Sequence, residues 1–331
     1  MTRKEILSLL ILILVVGFGA YKYLTREYSL TKSKYLLDTI IEIHAASTTK
    51  NFGQKIDSVF VFIQNMETKF NEYDSLSVIW KMNNSDQTEF QISADIYDLL
   101  VIADSLHRMT EGAFDITIKP IIDLWDFNAM EPAVPDSLEI MRKLELVGFD
   151  RLTFTKDRLL KPKGFQITFG AIAKGYILDQ AQRYMRSIGI EKGYINCRSS
   201  MSFFGEKHPR IVHIQHPRDA TAIIASFSIM GMAVGTSGDY NQYFEIGDKR
   251  YHHIIDARTG YPVTNIFSVS VIHPQAVWAD GLSTALFLTE PDHAIELIRT
   301  IPDCEAIIYH QVNGTIVSLK SSGMAKYNMH E

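Results

Sequence analysis

Apolar residues run almost unbroken from Ile6 to Tyr21, behind Arg3 and Lys4. The run is slightly shorter than the ~20 residues that span a bilayer. Extension to Leu24, with Lys22 reaching back to the interface, makes a span feasible. Basic residues ahead of the run leave the N-terminus cytoplasmic and export the remainder of the chain. A cleaved signal is the other reading, with Gly17 and Gly19 as a weak small-residue site. Either way the expectation is a segment 1–29, a hydrophobic signal-anchor and juxtamembrane stretch, and a domain 30–331 on the periplasmic side of a bacterial inner membrane.

Past residue 30 the pattern switches irregularly between periods 2 and 3.6. "KYLLDTIIEIHAAS" (34–47) predicts a strand with Ile41 and Ile43 on one face. Ile56, Phe60, Ile63, Met66, Lys69 and Phe70 recur at helical spacing over 52–70. A second helix is expected over 93–110 with Asp95 as its cap. "GAFDITIKPIIDLWDF" (112–127) reads as a loop entering an apolar stretch, 136–147 as a helix, and 150–168 as short strands. A helix follows "GAIAKGY" through Ile190; "GYINC", "RIVHIQHP", "IIASFSIMGMAVGTSG", "YFEIGDKRYHHIID" and "NIFSVSVIHP" read as strands. Helices over 280–289 and 292–300, separated at Pro291, are expected to close the chain. This mixture predicts an α+β fold, a single mixed-sheet domain with packed helices, and no linker divides it.

Composition changes little in that picture. The 331 residues are 46% hydrophobic and 21% charged, enough for a large core, and the net charge is −5 with both signs scattered. The chain lacks a long basic run, which argues against a nucleic-acid partner. Cys197 and Cys304 are far apart with no CxxC, so two buried thiols are the expectation, with a single bridge as the alternative in an oxidising compartment.

Several short stretches carry candidate chemistry. In "FGAIAKGY" (169–176), Gly170 precedes a helix start and Lys174 falls in its first turn. Helix N-termini attract anions through unpaired N–H groups, and a lysine there runs against the macrodipole. The choice is between a solvated lysine and one that serves a bound anion. In "RYHHIIDARTGYPV" (250–263), His252 and His253 point to opposite faces of a strand, so only one of them faces a given site. Asp256 and Gly260 look like turn formers, and Arg258 has either Asp256 or a phosphate as partner. In "AVWADGLSTALFLTE" (276–290), Asp280 and Ser283 admit two readings, a helix N-cap or part of a metal site.

Taken together and in order, the chain resembles the ApbE family of flavin transferases, over about residues 35–301. The segments that carry the resemblance are "LLDTIIEI", "NEYDSLSVIWKMN", "GAFDITIKPIIDLWDF", "GAIAKGYILDQA", "GTSGDYNQYF", "HIIDARTGYPV" and "ADGLSTALF". The resemblance implies transfer of FMN from FAD to a Thr or Ser hydroxyl of an acceptor flavoprotein, with release of AMP. The acceptor would belong to a redox pump or electron-transfer chain. The resemblance also implies Mg²⁺ bound by the Ala171 carbonyl, Asp280, Ser283 and Thr284. Such a set suits the ion, which prefers hard oxygen ligands, and positions i, i+3 and i+4 share a helix face. Implied FAD contacts are Leu37, Tyr73, Ala113, Phe114, Asp115, Thr168 and Lys174, with His253 and Asp256 catalytic and His253 the base. One stretch departs from the family pattern. Where "NxGGD" is usual, the chain has Asn196 followed by Cys197, Arg198, Ser199 and Ser200, so two glycines and an acid are replaced. Competing functions are a non-catalytic FAD-binding protein and an FAD pyrophosphatase giving FMN and AMP.

Overall fold

The structure is a computed structural model and describes residues 2–331. Its helices are α1 (Arg3–Leu24), α2 (Gly53–Phe70), α3 (Val78–Asn83), α4 (Ala94–Met109), α5 (Lys119–Trp125), α6 (Ser137–Leu144), α7 (Ala173–Ser187), α8 (Ala276–Phe287) and α9 (Pro291–Thr300). An eight-stranded sheet organises them. Its spatial order is Tyr28–Leu36, Thr39–Ser47, Lys192–Asn196, Ser200–Phe204, Ala233–Gly238, Ile266–His273, Glu305–Val312 and Thr315–Lys320. Every neighbouring pair is antiparallel.

One sheet face buries the main core against α2, α4, α7 and α8, with Ile41, Ile43, Ile56 and Leu106 fully inside. The other face is covered by the hairpin Arg210–His216/Asp219–Ile229 and the turn Ser322–Tyr327, around Phe227 and Tyr309. A third cluster gathers Phe127, Ile140 and Phe244 on Trp125. The Trp125 indole N–H donates to the Gly260 carbonyl at 2.8 Å, so this cluster grips the turn after Asp256.

The period-3.6 reading of 52–70 holds, except that Lys69 is exposed and pairs with Asp95 at 2.9 Å. Asp95 is therefore not the cap of α4; Ser93 is, accepting from the Ile96 N–H. The 34–47 stretch is a hairpin rather than one strand. Leu37 and Asp38 both take positive φ, the two-residue turn that matches strand twist. Residues 112–127 contain α5, and "IIASFSIMGMAVGTSG" splits into two strands at Gly231. The helices α8 and α9 do not close the chain. A hairpin comes after them, turned at Asn313-Gly314 with positive φ at both residues. Asn-Gly between alternating apolar positions is the strongest short hairpin signal. α1 is long and apolar enough to cross a membrane, and none of its residues is buried. Cys197 and Cys304 are buried and free.

Candidate functional site

The site begins where α7 meets α8. Gly175 lies against α8 so closely that a Cβ there would sit 2.3 Å from the Ala276 carbonyl oxygen and 2.7 Å from Asp280 Cβ. Gly235, on the central strand, approaches the Ala279 carbonyl in the same way. Both glycines are needed because backbone meets backbone. Gly175 is the third residue of α7, where the N–H has no acceptor within the helix, and it donates to Asp280 Oδ2 at 2.9 Å.

Asp280 does not cap its own helix. α8 starts at Ala276, one turn earlier, and the caps come from Asp179 on α7. The Asp179 carboxylate accepts from the Ala276 and Val277 N–H groups at 2.8 and 3.0 Å. Burial pushes Asp179 up to about 6. Asp280 is buried too, and burial raises its pKa against the opposing pull of Lys174, Ser200 and the Gly175 N–H. Lys174 stands in the first turn of α7, near enough for its charge to act on Asp280, Cys197 and His253.

Ser283 and Thr284 share a face with Asp280. Ser283 Oγ donates to the Asp280 carbonyl at 2.8 Å. A residue not anticipated from sequence joins them: Ser237 Oγ lies 2.8 Å from Ser283 Oγ and 2.9 Å from Thr284 Oγ1. By itself "GTSG" looks like a polar turn, yet it ends a sheet strand (Ala233–Gly238). Ser200 is a second addition. Its buried hydroxyl donates to Asp280 Oδ1 at 2.7 Å, in the position where the family pattern carries an acid. Arg198 takes φ +66, so it keeps the left-handed turn that glycine would supply, and its N–H donates to Asn196 Oδ1 at 2.8 Å. Arg198 is exposed.

The hairpin Tyr243–Ile246/Lys249–His252 delivers the two histidines to different partners. His252 Nε2 donates to the Val263 carbonyl at 2.7 Å. His253 Nδ1 donates to the Gln242 carbonyl at 3.2 Å, so its Nε2 is the bare nitrogen of the neutral ring. Burial lowers each to about 4, with Lys174 adding to the effect on His253. The Asp256 carboxylate does not join His253. It is held by Arg258 through Nε and Nη2, the latter at 2.7 Å, which settles the partner of that arginine.

Three further loops are stitched together by backbone bonds. Ala257 N–H donates to the Ala113 carbonyl at 3.1 Å and Thr168 N–H to the Ile116 carbonyl at 2.8 Å. Asp115 spends its carboxylate inside this loop, on Thr117 N–H, Thr117 Oγ1 and Phe149 N–H. Ala113 and Phe114 are buried, and Leu37 donates its N–H to Glu67 from the hairpin turn. Tyr73 is 70% exposed, with the Lys119 ammonium 4.6 Å from its ring centre. Lys119 is buried between Asp123 and Glu72, and burial raises the pKa of Glu72, which also bonds Thr168.

The donors around Asp280 are all hard oxygens with a single carboxylate, and among the described residues no cluster of three His, Cys, Asp or Glu side chains forms. That chemistry fits Mg²⁺ held jointly with substrate phosphates better than it fits a softer metal in an all-protein cage. The Ala171 carbonyl, just ahead of the N-terminus of α7, is a further hard oxygen of the kind that ion takes.

A family model described as the ApbE family matches residues 37–308. The FAD:protein FMN transferase of Haemophilus influenzae is 30% identical over 310 residues, 87% of this chain and 86% of that one. The FAD:protein FMN transferase of Klebsiella pneumoniae is 33% identical over 232 residues, 69% of this chain and 72% of that one. The crystal structure of the ApbE protein from Thermotoga maritima superposes with a TM-score of 0.82 at 28% identity, covering 91% of this chain and 99% of that one. The flavin transferase ApbE from Vibrio cholerae has the same TM-score at 22% identity, a likeness of fold.

Proposed function

We propose, from the premise that this chain belongs to the ApbE family, that it moves FMN from FAD to a Thr or Ser hydroxyl of an acceptor flavoprotein and releases AMP. The chain is a transferase, and its relatives carry flavin to proteins. The finer reading rests on one observation. Asp280, with Ser283 and Thr284 beside it, lies within reach of the Lys174 charge, and so does a histidine whose Nε2 is bare.

The Ala171 carbonyl, Asp280, Ser283 and Thr284 would hold Mg²⁺, which when bound neutralises phosphate charge and favours displacement at phosphorus. Lys174 and the first turn of α7 bind the pyrophosphate of FAD. Leu37, Tyr73, Ala113, Phe114 and Thr168 line the flavin and adenosine, with Tyr73 stacking on a ring. Asp115 fixes the loop that presents Ala113 and Phe114. His253 Nε2 takes the proton of the acceptor hydroxyl as its oxygen bonds the FMN-side phosphorus and the bond to AMP breaks. Asp256 acts through the turn it forms with Arg258 and positions the histidine strand. The domain 30–331 works on the periplasmic side of the inner membrane, tethered through segment 1–29, on an acceptor of a redox pump or electron-transfer chain.

The test is incubation of the protein with FAD, Mg²⁺ and a candidate acceptor, then assay of AMP, free FMN and covalent flavin. Covalent flavin with AMP is expected. Free FMN without covalent flavin would make the protein an FAD pyrophosphatase, and intact FAD would make it a flavin-binding protein.

A further inference from the structure

A second cleft, of about 410 Å³, opens at the end of the sheet remote from Asp280 and next to the foot of α1. Its charged walls are Glu27, Lys192, Glu206, Lys207 and Arg210. Glu27 pairs with Lys192, and Lys207 adds to the fall in its pKa after the Lys192 hydrogen bond. Arg210 Nε pairs with Glu206 at 2.7 Å. Three cations, Lys192, Lys207 and Arg210, thus face two carboxylates in the cleft, while Lys22 and Arg26, just before Glu27 in the chain, lie over the Phe18 and Tyr28 rings. Lys207 and Arg210 are exposed.

Chain connectivity fixes what this cleft faces once α1 spans a bilayer. Only Thr25, Arg26 and Glu27 separate α1 from the first sheet strand. Three extended residues reach about 10 Å, and the Debye length is about 8 Å at physiological salt. Glu27, and Lys192 bonded to it, cannot then stand far from the headgroups. The strands point the other way. Tyr28–Leu36 runs from the cleft to the Leu37 turn, and Lys192–Asn196 runs from the cleft toward Ser200 and Asp280. At about 3.3 Å per residue, the first strand alone places the Leu37 turn roughly 26 Å from the cleft.

We propose that this basic cleft is a docking surface for anionic phospholipid, and that it stands the domain upright with the flavin site turned away from the membrane. The proposal rests on the reading of α1 as a membrane span. Lys192, Lys207 and Arg210 meet lipid phosphate, while Glu27 and Glu206 keep the lysine and arginine side chains in place. Lys and Arg near an anionic surface each add to binding, and salt screens the effect.

The test uses residues 26–331, whose core is complete without α1 because no residue of that helix is buried. The fragment is sedimented with vesicles of phosphatidylcholine alone or with 30% phosphatidylglycerol, at low and high salt. Expected is binding to the anionic vesicles, lost at high salt and weakened at least tenfold in the double variant Lys192→Gln/Lys207→Gln. A single Lys207→Gln variant leaves the Glu27 pair intact and should show a smaller loss with an unchanged melting temperature. Equal partitioning of wild type and both variants, or equal binding to neutral vesicles, overturns the proposal. Alkaline extraction of the full chain from membranes tests the α1 reading separately, since the fragment lacks that helix.

Discussion

Gly175→Ala sets two effects of opposite sign against each other. Gly175 is the third residue of α7, where alanine gains up to about 1 kcal/mol of helix propensity. A methyl at that position meets the Ala276 carbonyl oxygen at 2.3 Å and Asp280 Cβ at 2.7 Å. Ordinary contact starts near 3.4 Å, so α7 and α8 must part by about 1 Å. Overpacking of that kind costs about 1–3 kcal/mol, and the net loss should be up to about 2 kcal/mol. For a chain of this size that is a fall in Tm of up to about 3 °C. The movement also separates the Gly175 N–H from Asp280 Oδ2, and misplacement by about 1 Å costs on the order of 10²-fold in rate. Denaturant midpoints and the rate of covalent flavin formation read the two effects. A variant more stable than wild type, with full turnover, would refute the close contact and the reasoning built on it.

Asp280→Ala should abolish AMP release, because it removes the one carboxylate among the oxygen donors; turnover that survives this change sinks the metal assignment. His253→Ala should retain FAD binding, measured by fluorescence titration, and lose transfer by 10²-fold or more. With His253 held near 4, the acid limb of kcat/KM for wild type should fall near pH 4, and a limb near 6.5 would contradict the burial of this ring. His252 is 2% exposed and its folded pKa is depressed to about 4 from 6.5. The unfolded chain therefore binds the extra proton first, and this contribution to stability is full above pH 6.5 and lost as pH falls toward 4. Its size is on the order of 3 kcal/mol, and His252→Gln should remove that share of the slope in urea midpoints measured across pH 4–7, leaving the share that His253 contributes.

Local pattern determined much of this protein. Apolar spacing placed α2 and its buried face, alternation placed Ile41 and Ile43 inside, and the sequence around Gly170 and Lys174 located the start of α7. These features depend on neighbours three or four residues away, which a sequence displays directly. The C-terminal hairpin is signalled by Asn313-Gly314 and is easily overlooked, because the two helices before it look final.

Tertiary structure decided the rest of the site. Ser200 and Ser237 are ordinary strand serines until the sheet carries them to α8, across 80 and 46 residues of chain. Asp280 looks like a helix cap because an acid before an apolar run often is one. The fold gives capping to Asp179, almost a hundred residues away, and frees Asp280 for the interior. The replaced glycine and acid also change meaning, since Arg198 adopts the turn and Ser200 reaches the carboxylate. Side-chain partners chosen by packing leave no period in the sequence, so residue types named the chemistry and only the folded chain assigned each polar atom its neighbour.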